Sequence, residues 1–226
     1  MSEQCFFQQL AESTTTQRQH LLGSPLINRA LNREITLEEY VCFLTQAYHH
    51  VKHTVPLLMA AGSRIPENKE WLREAVAEYI EEEIGHQEWI LDDIAACGYD
   101  KEAARHSIPS PATELMVAYA YDMISRVNPI GFFGMVYVLE GTSTTIATRA
   151  ATEIKAHLGL PAAAFSYLSS HGTLDLEHMD FFEGLMNRVN DFADQQQIIH
   201  CARMFFHLYG DIFRTLPVPQ FIHRAA

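Results

Sequence analysis

Three stretches of this chain carry residue types that could do chemistry together. In the first, Glu81-Glu-Glu-Ile-Gly-His86, Glu82 and Glu83 stand four and three positions before an imidazole. On one continuous helix both carboxylates would share a face with His86. A helical bundle offers a metal two ligands in this way, as Glu-x-x-His, though a solvated acidic face carries the same spacing. In the second, Glu140 closes the apolar, aromatic run Phe132–Leu139. A carboxylate there is buried if its helix is central, and a buried carboxylate is paired, protonated or metal-bound. In the third, His171, Asp175 and His178 fall at i, i+4 and i+7. In a helix these positions span an arc of roughly 60°. Leu174, Phe181 and Phe182 beside them turn that stripe inward.

Three histidines and at least three carboxylates, with no thiolate, make a donor set suited to iron or manganese. Six ligands exceed what a single catalytic ion with an open position needs. They suit two ions about 3.5–4 Å apart that share a carboxylate. The expected donors are Glu82 or Glu83, His86, Glu140, His171, Asp175 and His178, with Glu140 the candidate bridge. Iron is the expected metal, and a mixed Mn/Fe pair would use the same ligand types. Glu140 and Tyr79 are the candidate catalytic residues. His49 and His53, one turn apart with Lys52 beside them, and Tyr137 are candidate substrate contacts. His49 and His53 could equally be histidines at a pocket rim, and His200 and His207 share a face of the last helix in the same way.

The elements that must position these groups are helices. Apolar residues recur with a period near 3.6 almost throughout, and no strand-like alternation occurs. Helices are expected over about 3–22, 36–61, 68–96, 112–126, 129–157, 161–171, onward to about 189, and 193–215. Thr36 and Glu39 match a capping box. Pro56 is a candidate kink, and Gly172 could divide the segment that carries His171 and His178. The expectation is an all-α bundle of seven or eight helices forming one domain over 1–226, with no long polar linker.

The chain has 226 residues, 28 Asp and Glu against 16 Lys and Arg, and a formal charge of −12. That balance argues against nucleic acid and anionic membrane as partners. The four cysteines are far apart and form no CxxC pair, as expected of reduced cytoplasmic thiols. No signal peptide is apparent, and the apolar stretch 130–139 is too short to span a bilayer. Met204, Phe205 and Phe206 could pair two copies in a homodimer, but core packing is the favoured reading.

The order Glu-x-x-His, then Glu140 after an apolar helix, then His-x3-Asp-x2-His resembles the heme-oxygenase-like di-iron oxidases of the TenA/PqqC superfamily. Gln46-Ala-Tyr-His-His-Val-Lys-His53 and Leu139-Glu-Gly-Thr-Ser143 also resemble that group. The resemblance covers about residues 20–215. It implies a seven-helix heme-oxygenase-like fold and an enzyme that uses O2 on a small organic substrate. The implied iron ligands are Glu83, His86, Glu140, His171, Asp175 and His178. Some members carry a carboxylate two turns before the first histidine. Tyr79 takes that face here, which leaves the carboxylate open among Glu83, Glu82 and Glu78. The TenA cysteine nucleophile has no counterpart in the Glu140 helix or beside His171. A cofactor-independent PqqC-like oxidase and a non-catalytic TenA-like small-molecule binder are the alternatives. Heme binding through His20 has fold analogy alone behind it.

Overall fold

The computed structural model describes residues 5–216, with the side chains of 171–177 excepted. Among the described residues it contains twelve α-helical segments and no β-strand. The chain opens with three short helices, α1 (Phe6–Ser13), α2 (Thr15–Leu22) and α3 (Pro25–Leu31). The expected helix over 3–22 is divided at Thr14, whose hydroxyl turns back to the Leu10 carbonyl at 2.8 Å. α4 (Leu37–Val51) starts at the expected capping box: the Glu39 amide donates to Thr36 Oγ1 at 3.1 Å and the Thr36 amide to Glu39 Oε2 at 3.0 Å. Such a reciprocal cap is worth about 1 kcal/mol.

The chain breaks again at Lys52–His53, and α5 (Thr54–Gly62) follows. Pro56 therefore sits in the first turn of a new helix, where its missing N–H has no intrahelical partner to lose, and produces no kink. A third break separates α6 (Glu70–Glu83) from α7 (His86–Ala96). Ile84 is extended, with ψ of 120°, and Gly85 adopts φ +94°, a left-handed conformation that glycine takes without a Cβ penalty. The expected continuous helix over 68–96 is thus two helices meeting at an elbow. α8 (Lys101–Arg105) and α9 (Pro111–Asp122) come next, and α9 runs into a π-helical turn at Met123–Val127.

α10 (Phe133–Leu158) is the central helix and packs mainly on α11 (Ser166–Met186) and α12 (Phe192–Arg214). Gly134 lets α10 and α12 nearly touch: a Cβ there would lie 2.6 Å from the Ala202 amide nitrogen and 2.7 Å from the Ile198 carbonyl oxygen. By length and hydropathy the stretch Pro129–Leu158 could cross a membrane, but 61% of its most apolar window is buried inside the fold. α11 runs unbroken through Gly172, so residues 171, 175 and 178 keep one helical register. Its first turn is held by Asp93 of α7, which accepts from the Ser166 amide at 2.9 Å, the Tyr167 amide at 3.0 Å and the Ser166 hydroxyl. Phe205 and Phe206 of α12 are buried in the core.

Candidate metal centre

The α6–α7 elbow sets the first part of the site. Glu83 is the last residue of α6 and His86 the first of α7, so the two are not stacked on one continuous helix. The tight turn through Gly85 still brings Glu83 Oε2 to 3.1 Å from His86 Nδ1. The His86 ring lies against Trp89, centroids 4.0 Å apart, and is 3% exposed. The adjacent Glu82 leaves the helix in a different direction and reaches across to α11, where its Oε2 is 3.0 Å from His178 Nε2. Consecutive carboxylates therefore serve imidazoles on two different helices. His178 also meets the edge of Tyr79 at 6.1 Å between centroids. Glu78 is exposed to solvent.

Glu83 and Glu140 line one cavity of about 690 Å³, counting the part open to solvent, together with Tyr79, His50, Tyr209 and a mainly aliphatic remainder from α4, α5 and α10. Ligand sites in proteins are mostly apolar with a few placed polar groups. Glu83 and Glu140 thus face one cavity, with His86 attached to it through Glu83 and His178 through Tyr79. The side chains of His171 and Asp175 lie outside the described residues. Among the described residues, no three His, Cys, Asp or Glu side chains gather into a ready metal site. The described donors pair instead, Glu83 with His86 and Glu82 with His178.

The chemistry of these donors fits iron. They are imidazoles and carboxylates, and each imidazole has a carboxylate to fix its ring orientation, as metal-binding histidines usually do. Among the described residues no cysteine lines the cavity. Burial holds the Cys42 thiol up at about 11 and the Cys97 thiol at about 12, and also raises Cys201.

The candidate substrate contacts are placed elsewhere. His49 and His53 line a separate, more open recess with Lys52 and Thr113 of α9. Ser107 donates its hydroxyl proton to the Ala104 carbonyl at 2.7 Å, so at 2.8 Å from His49 it accepts from Nε2–H. His49 Nδ1 is then the acceptor for the Lys52 ammonium at 3.2 Å. Desolvation first, and then the charge of Lys52, hold His49 down at about 4. It is a neutral imidazole in one tautomer. Burial also lowers His53, which shares a hydrogen bond with the Tyr121 hydroxyl at 3.2 Å. Tyr137 points into an aromatic cluster, 5.9 Å from Phe182 and 6.0 Å from Phe206. His50, between the two candidate histidines, faces the cavity instead, edge-on to Tyr209 at 5.7 Å. Its side was not readable from periodicity because every residue from Leu44 to Val51 is buried. His20 is exposed and stacks on His207, centroids 6.2 Å apart.

Comparison with known proteins agrees with this architecture. A domain of unknown function with a heme oxygenase-like fold from Shewanella denitrificans superposes with a TM-score of 0.83 at 24% identity, covering 95% of this chain and 93% of that one. Heme oxygenase from Leptospira interrogans matches with a TM-score of 0.75 at 15% identity over 94% and 100% of the two chains. A TenA homologue from Pseudomonas syringae matches with 0.75 at 12% identity over 93% and 91%. No curated protein matches by sequence. Residues 41–210, which hold every described donor of the site, match the family of iron-containing redox enzymes, and the chain belongs to that family, built on the heme oxygenase-like all-α fold.

Proposed function

We propose that this protein is a non-heme di-iron oxidase or oxygenase that uses O2 on a small organic substrate. The observation that carries the reading is Glu83 and Glu140 on the walls of one cavity, with His86 hydrogen-bonded to Glu83 at 3.1 Å. Glu83, His86 and His171 would hold one ion, Asp175 and His178 the other, and Glu140 would be shared. When bound, iron supplies the one-electron chemistry that O2 requires and that protein side chains lack.

The chain's own residues supply position and exclusion. Glu83 accepts from His86 Nδ1 and fixes the ring; for both to hold one ion, Glu83 would exchange this hydrogen bond for the ion. Glu82 does the same service to His178 from the other ring nitrogen, Nε2, so His178 would coordinate through Nδ1, or through Nε2 if Glu82 joined the ligand set. The aliphatic wall of Leu58, Val136 and Leu139 keeps bulk water from the carboxylates. Tyr79, 2% exposed, lines the cavity with its ring edge-on to His178 and would be the phenol beside a bound substrate.

Anaerobic loading with Fe(II), followed by metal analysis and Mössbauer spectroscopy, tests the reading. Wild type is expected to retain close to two irons per chain, and Glu140→Gln to lose at least one. A wild-type protein that retains no iron refutes the reading and leaves a histidine-based, metal-free oxidase or a binding protein.

A further inference from the structure

Tyr79 touches both halves of the candidate centre. It lies one turn before Glu83 on the unbroken part of α6, so the two side chains leave the same helix face with Cβ atoms about 5–6 Å apart. Its ring packs edge-on against His178 and Phe181 of α11, with centroids 6.1 and 5.7 Å away. It is buried, and it lines the same cavity as Glu83 and Glu140. Tyr79 therefore shares a helix face with one carboxylate, a cavity with both and a ring contact with an imidazole. Two other tyrosines line that cavity, and neither is placed in this way. Tyr209 of α12 stands edge-on to His50 at 5.7 Å and to Phe213 at 4.9 Å. Tyr167 is at the start of α11, about 16 Å along the helix axis from His178.

We propose that Tyr79 is itself an iron ligand, binding the ferric ion through its phenolate oxygen beside Glu83. The proposal rests on the functional reading above in needing iron in this cavity, but it does not need two ions. A phenolate is a hard anionic oxygen donor, as the neighbouring carboxylates are, and tyrosine is an axial ligand of iron in some heme proteins. A bare phenolate at a buried position is costly, and a bound cation supplies the charge that offsets this cost. In the binding step the phenol O–H bond breaks, the electron pair left on oxygen forms the bond to the ion, and the proton leaves to solvent. Tyr79 is neither oxidised nor reduced. A phenol held only by ring contacts or hydrogen bonds gives no charge-transfer absorption, whereas a phenolate on ferric iron does.

The test uses the full-length protein loaded with Fe(II) without oxygen and then oxidised in air. Iron content, visible absorption and resonance Raman spectra are recorded. Wild type is expected to show a visible phenolate-to-Fe(III) band with tyrosine ring vibrations enhanced within it, and the iron-free protein to show neither. Tyr79→Phe, which removes one oxygen atom, is expected to retain iron and lose the band. Tyr167→Phe and Tyr209→Phe are expected to keep it. Wild type that holds ferric iron without enhanced tyrosine vibrations overturns the proposal and leaves the iron reading standing. So does a band that persists in Tyr79→Phe. If Tyr79→Phe does not fold or holds no iron, the other two variants decide: a band kept in both supports Tyr79, and a band lost in either overturns it. A band from a single iron per chain keeps the phenolate ligand and sinks the two-ion reading. A wild-type protein that takes up no iron sinks both.

Discussion

Asp93 ties the helix that carries His86 to the start of the helix that carries His178. Its carboxylate is fully buried and receives two backbone amides and one hydroxyl from Ser166 and Tyr167. Asp93→Ala removes all three hydrogen bonds at once. A hydrogen bond to a charged group contributes about 1.5–3 kcal/mol, and loss of a helix cap costs about 0.5–2 kcal/mol. These figures overlap rather than add. Burial raises the Asp93 pKa against the pull of its donors, which shows that its desolvation already offsets part of the gain. The expected loss is therefore about 3–4 kcal/mol, or roughly 6–16 °C in melting temperature for a chain of this size. Asp93→Asn keeps one acceptor but presents an amide donor to a backbone N–H, and about half that loss is expected. Denaturant unfolding followed by circular dichroism gives the free energies. Iron content of the folded fraction reports whether α11 has shifted. An Ala variant within 1 kcal/mol of wild type, with full iron loading, would refute the idea that this cap braces the site.

Two further outcomes follow from features already described. Gly134→Ala should destabilise by about 2–4 kcal/mol in a thermal melt, because the new Cβ meets α12 backbone atoms at 2.6 and 2.7 Å and backbone cannot step aside; an unchanged melting temperature would contradict the close approach. His49 is neutral in the fold, held down at about 4, and takes up a proton near 6.5 when unfolded. Its contribution to stability is fully present above pH 6.5 and is lost as the pH falls toward 4. The slope is at most about 1.4 kcal/mol per pH unit, less where water reaches the recess. Stability measured from pH 7 to 4 should fall less steeply in His49→Gln, and parallel curves would show that His49 does not titrate this way.

Much of the fold was legible because the signals were local. The capping box at Thr36 and the 3.6-residue period each follow from a few neighbouring residues. The breaks were harder to read. Ile84-Gly85 has helix formers on both sides, and only the tertiary fit of α6 and α7 selects the left-handed glycine there. Glu83 and His86 still meet, but through a turn rather than along a helix face. Conversely, Gly172 looked like an interruption, yet α11 continues through it because packing on α10 outweighs glycine's cost of about 1 kcal/mol. Which of His49, His50 and His53 faces the cavity depends on the rotation of a helix buried on all sides, and no periodicity records that. Ser143, Tyr167 and Tyr209, which border two neighbouring cavities, come from three helices far apart in sequence, so no local pattern announces them.

The α6 side of the site also determines how a cation would meet it from outside. Glu78, Glu81 and Glu82 are exposed, Glu83 is half-buried and His86 is buried. Along this single turn and a half of helix, negative charge passes step by step from water to the interior. A dissolved divalent ion is concentrated by the outer carboxylates and can exchange its hydration shell for protein oxygens gradually, before any imbalance of buried charge arises. Glu82, with 41% of its side chain in water and its carboxylate on His178, is the step where solvent and the inner donors are in contact. On the di-iron reading, these four glutamates would set the side from which a metal ion reaches the site.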